Sequence, residues 1–98
     1  MFLSGLKFEN LIIDKRIKLM EIEKVEKVRQ IIADVLFLSL EEIGEDASQD
    51  SILSWDSLQQ LHLVLALEQS FKVHFKPEEF VIMKSVKKIL EQLELKGV

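Results

Sequence analysis

The chain has 98 residues, 48% hydrophobic and 31% charged, the composition of a single soluble domain rather than a disordered chain. It has no cysteine, which excludes disulfide scaffolds, thiolate metal sites and a thiol nucleophile of its own. Three glycines and one proline are too few for a turn-rich β fold, and a net charge of −4 fits no nucleic-acid partner.

Residues 1–19 are mixed and aperiodic, and Lys7, Lys15, Arg16 and Lys18 outnumber Glu9 and Asp14 there. The acidic excess lies wholly in the remainder. Lys7, Glu9 and Asn10 interrupt the apolar patches near the start, and no small-residue cleavage site follows, so a secretory signal is not expected. No apolar run approaches the ~20 residues that span a bilayer, so no stable membrane insertion is expected. Met20 opens the patterned part. Residues 1–19 read as an extension or leader without a fixed fold, or as a short docking tail, and 20–98 as the domain.

The first helix is predicted over Ile22 to Phe37, because Ile22, Val25, Val28, Ile32, Val35 and Leu36 recur at three- and four-residue steps. Leu38 to Trp55 follows as a long connection with the apolar anchors Leu40, Ile43, Ile52 and Leu53. Its carboxylates Glu41, Glu42, Glu45, Asp46 and Asp50 lack calcium-loop spacing and read as a solvated acidic loop, so no metal site is expected.

The second helix is predicted from Asp56 or Ser57 to Phe71, with the Asp56 carboxylate as N-cap. Pro77 suits the first position of a short third helix, with Glu78 and Glu79 complementing its start. Ser85 caps the last helix, whose apolar face is Val86, Ile89, Leu90 and Leu93 and which ends before Gly97. The class is all-α: four helices, the third short, with a long loop between the first and second.

At 100° per residue the second helix carries two apolar stripes. Leu63, Val64, Leu67 and Phe71 face the core, while Leu58, Leu61 and Leu65 fall within about 60° of one another on the opposite side. Either the long loop or neighbouring helices cover part of this second stripe, or Leu61 and Leu65 form a protein-docking patch beside the helix start. The other positions assigned to the exposed side are Gln59, Gln60, His62 and Gln69, with Glu68 as the acidic residue left.

Ser54-Trp55-Asp56-Ser57-Leu58 lies where the loop meets this helix. Asp-Ser-Leu alone is a common capping tripeptide. A hydroxyl in the first turn of a helix is nevertheless a defined, exposed place to attach a phosphate, whose charge the free amides and the dipole stabilise. Trp55 packs over the loop or borders whatever is attached. His62 and His74 read as surface residues without the partners a hydrolase needs, and Met83 as core.

From about Glu21 to Leu95 the chain resembles the acyl carrier protein family. The likeness rests on Trp55-Asp56-Ser57-Leu58, then Leu63-Val64-Leu65-Ala66-Leu67-Glu68 with Phe71 closing the helix, then Phe75, Pro77-Glu78-Glu79-Phe80 and Ser85-Val86. It implies a cytoplasmic, monomeric four-helix bundle of acyl-carrier type. Ser57 matches the serine to which a phosphopantetheinyl transferase attaches 4′-phosphopantetheine from coenzyme A, and Asp56 matches the acidic residue beside it. The arm would supply the thiol that the chain lacks, and no catalytic residue is implied. Leu58, Leu61, His62, Leu65 and Glu68 would then dock acyl or aminoacyl ligases, transferases and synthases of fatty-acid, polyketide or related biosynthesis.

Two departures qualify the likeness. Ser54 stands where the family usually has glycine, and the second helix lacks most of the acidic residues the family uses for docking. The second departure points to a specialised member rather than a housekeeping one. The alternatives are an aminoacyl or peptidyl carrier, and a helical interaction module in which Asp56-Ser57 is only a cap.

Overall fold

Three residues punctuate the second half of the chain. The Asp56 carboxylate accepts from the Gln59 N–H, Pro77 occupies the first turn of a short helix, and the Ser85 hydroxyl accepts from the Lys88 N–H. In the computed structural model, which describes the backbone of residues 2–98 and the side chains of 18–98, these start α2 (Ser57–Phe71), α3 (Pro77–Phe80) and α4 (Val86–Leu95). Asp56 and Ser85 each satisfy an amide that the first helical turn leaves unpaired, while Pro77 brings no N–H to that turn. Together with α1 (Phe2–Leu36), they make the expected all-α, four-helix architecture.

The start of α1 differs from expectation, since its backbone is helical from Phe2 rather than from Ile22. Residues 1–19 contain good helix formers and no proline, and intrinsic propensity needs no amphipathic stripe to continue a helix. The side chains of 1–17 lie outside the described residues, so the proposed extension has no described packing. Ile22, placed on the core stripe by periodicity, is 57% exposed, and full burial begins at Val28.

The core joins Val28, Ile32, Ala33 and Leu36 of α1 to Leu63, Val64 and Leu67 of α2 and to Val86, Ile89 and Leu93 of α4. Ile43, Trp55, Phe75 and Met83 enter it from the connections. In the long loop Ile43 is fully buried, whereas Leu53, expected as an anchor, points into solvent. Two devices hold that loop. A short 3-10 turn, Leu40–Glu42, is tied to α1 by Arg29, which donates to the carbonyls of Leu40 and Ile43. Farther along, the Gln49 N–H donates to the Lys84 carbonyl at 2.9 Å and the Val86 N–H to the Ala47 carbonyl at 3.0 Å. The loop is thereby joined to the entry of α4, and its end is delivered to the start of α2.

Candidate functional site

Ser57 is the first residue of α2 and is exposed. Asp56, extended in backbone, is the N-cap: its Oδ1 accepts the Gln59 N–H at 2.9 Å, and its carbonyl accepts the Gln60 N–H at 2.9 Å. The Ser57 hydroxyl is therefore not needed for capping and stands at the positive end of a 15-residue helix.

An open cleft of about 300 Å³ lies directly beside it, lined by Gln49, Ser57, Gln60, Leu61, Phe80, Val81 and Lys84. Lys84 is one of the cleft's lining residues, and the helix start is itself favourable for a phosphodiester. An exposed hydroxyl at a helix start, beside an open cleft that Lys84 helps to line, fits a phosphate-linked arm.

Gln60 corrects the sequence reading. Its polarity places it with Gln59 and His62 on the exposed side, yet it is buried. Its Oε1 accepts the Trp55 indole N–H at 2.6 Å, and its Nε2 donates to the Phe80 carbonyl at 3.0 Å and the Met83 carbonyl at 2.7 Å. One side chain thus ties the residue before the N-cap to the far wall of the cleft. The register carried the signal: Gln60 precedes Leu63, Val64 and Leu67 by three, four and seven residues, on the core stripe itself. Trp55, read as packing over the loop or bordering an attached group, is buried in the core.

The second stripe is uncovered. Leu58 is 61%, Leu61 45% and Leu65 49% exposed, and His62 beside them is exposed as well. Across the cleft Val81 is 64% exposed and enlarges the apolar surface. It was not singled out in the sequence, since a lone valine in a connection has no period to mark it. Glu68 faces elsewhere. Its Oε2 accepts the Phe75 N–H at 2.8 Å and lies 3.0 Å from His74 Nδ1, so its carboxylate fastens the α2–α3 connection.

The chain is a small helical bundle with an exposed serine on a capped helix start, an open cleft beside it and an exposed leucine stripe. Residues 26–93 match the family model described as the phosphopantetheine attachment site. The acyl carrier protein of Thermosynechococcus vestitus is 38% identical over 69 residues, covering 70% of this chain and 85% of that one. That of Petrotoga mobilis is 36% identical over 74 residues, covering 76% and 87%, and that of Buchnera aphidicola 32% over 73 residues, covering 74% and 91%.

The chain belongs to the acyl carrier protein family. Its cofactor is 4′-phosphopantetheine, and the family consists of carriers that work with a phosphopantetheinyl transferase and with biosynthetic enzymes. No helix among the described residues is long and apolar enough to cross a membrane.

Proposed function

We propose that Ser57 is the attachment point of the 4′-phosphopantetheine arm, and that the chain holds acyl intermediates on it as thioesters for delivery to enzymes of fatty-acid, polyketide or related specialised biosynthesis. The observation that carries this reading is the position of Ser57: exposed at the first turn of α2, with capping done by Asp56. The group, when bound, supplies the thiol that a cysteine-free chain lacks.

The chain's own residues present and dock. Asp56 fixes the first turn, so the Ser57 hydroxyl stands at one defined place. The free amides of that turn and Lys84 balance the charge of the linkage. None of these groups forms or breaks a bond in the cargo, and the domain acts without catalytic residues of its own. Leu58, Leu61 and Leu65, with His62 at their side, form the docking face, while Glu68 acts through the connection it fastens.

That face supports a specialised member. With Gln59, Gln69 and His62 where acidic side chains would draw a basic partner, recognition rests on apolar contact. In this reading the protein works as a cytoplasmic monomer, with residues 20–98 as the carrier domain and 1–19 as an extension to it.

The test is incubation with coenzyme A and a promiscuous phosphopantetheinyl transferase, read by intact-protein mass. The wild type gains one phosphopantetheine and Ser57→Ala gains none. A folded wild type that gains nothing overturns the reading and leaves the helical interaction module.

A further inference from the structure

We infer that Gln60 bars the bundle interior to cargo, so that the acyl group stays in the open cleft beside Ser57 and is short or polar rather than a long hydrocarbon. The inference rests on the reading of Ser57 as the attachment point. It contradicts the simplest expectation for an apolar bundle, which is that an acyl chain tethered at the start of α2 slides between the helices.

The cleft beside Ser57 opens between the start of α2 and the Phe80–Lys84 segment, which makes this the direct path inward. Gln60 lies on that path, one turn along α2 from Ser57, and its carboxamide is fully engaged: one bond accepted from Trp55 and one donated to each of the Phe80 and Met83 carbonyls. These bonds stitch α2 to the opposite wall. A hydrocarbon that pushed the amide aside would leave the indole N–H and the two carbonyls without partners, and it has no polar atom to replace what they lose. Beyond the cleft Leu63, Leu67, Phe75 and Met83 are essentially fully buried in the core, where close packing makes room for a chain only by displacing side chains.

The space in front of the bar has a different character. The cleft is open to solvent and mixes Gln49 and Lys84 with Leu61, Phe80 and Val81. Such a cleft suits a short acyl group, or one with its own hydrogen-bonding atoms such as an aminoacyl or hydroxyacyl group. It cannot keep a long apolar chain from water. Gln60 is thus a positioning residue: it takes no part in thioester chemistry but sets where cargo rests.

The test loads wild type and Gln60→Ala from hexanoyl- and dodecanoyl-coenzyme A with the same transferase, confirming each product by intact mass. The rate of thioester cleavage by hydroxylamine is then measured relative to the matching free acyl-pantetheine. Cargo that enters the bundle is cleaved only through its exposed fraction, so entry appears as slowing with chain length. The two wild-type rates are expected to agree within about twofold, and Gln60→Ala to slow on dodecanoyl by about tenfold or more. Slowing of the wild type on dodecanoyl overturns the inference while the attachment reading stands. Agreement of the two rates in a loaded, folded Gln60→Ala overturns the role of Gln60. Absence of any mass gain overturns the attachment reading and this inference with it. Should Gln60→Ala not fold, the wild-type pair of rates alone still decides whether cargo enters.

Discussion

The Asp56 carboxylate accepts the Gln59 N–H at 2.9 Å, spanning Ser57, the proposed attachment residue. Capping and presentation are thereby assigned to neighbouring side chains. Asp56→Ala is expected to cost about 0.5–2 kcal/mol, the usual loss for an N-cap. Ser57→Ala, which removes no cap, is expected within about 0.5 kcal/mol of wild type. Chemical denaturation of the two variants checks the division, and an equal loss in both would contradict it.

The two stripes of α2 predict opposite responses to one substitution. Leu67 is fully buried, so Leu67→Ala is expected to lose about 2–5 kcal/mol through lost transfer energy and the cavity left behind. Leu65 is half exposed, and Leu65→Ala is expected to cost well under about 1 kcal/mol. Thermal melts compare them directly. Similar losses would mean that something covers the outer stripe.

Docking separates from stability at Leu61. Leu61→Glu puts a charge on exposed apolar surface and is expected to leave the melting temperature nearly unchanged. The KM for loading by the transferase is expected to rise by about tenfold, the effect of losing about 1.4 kcal/mol of contact. An unchanged KM would remove Leu61 from the docking face used by that enzyme.

Glu79 gives the fold a pH dependence. Its carboxylate accepts the Lys76 N–H at 2.9 Å and pairs with Lys96 Nζ at 3.0 Å, and these contacts hold its pKa below the ordinary 4.5. A carboxyl group whose pKa is lowered by folding stabilises fully above its unfolded pKa and loses that contribution as pH falls through the folded value. Glu79→Gln is therefore expected to melt below wild type near neutral pH. The gap should close under acid conditions, as followed by circular dichroism across a pH series. A gap independent of pH would assign the loss to something other than the charge.

The helix boundaries after the long loop were legible in the sequence because Asp56, Pro77 and Ser85 are strong local signals. The start of α1 was not, since it is a helix continuing upstream of its packed face without punctuation. Ile22 and Leu53 misled for a related reason: residue type said buried, while burial depends on whether another element lies opposite. Gln60 is the reverse case. Its polarity suggested solvent although its register placed it inside, and only the structure supplies the indole and the two carbonyls that satisfy its amide. The place of Ser57 at the start of α2 was legible in sequence, but the cleft beside it was not, because Gln49, Val81 and Lys84 reach it from connections without a period.

The central claim is tested most directly by locating the modification. Protein loaded with coenzyme A and transferase would be digested, and the peptide spanning Ser51, Ser54 and Ser57 fragmented in a mass spectrometer. The account predicts phosphopantetheine on Ser57 alone, the one of these serines that begins a helix. Modification of Ser54 or Ser51, or of a serine outside this peptide, would contradict it.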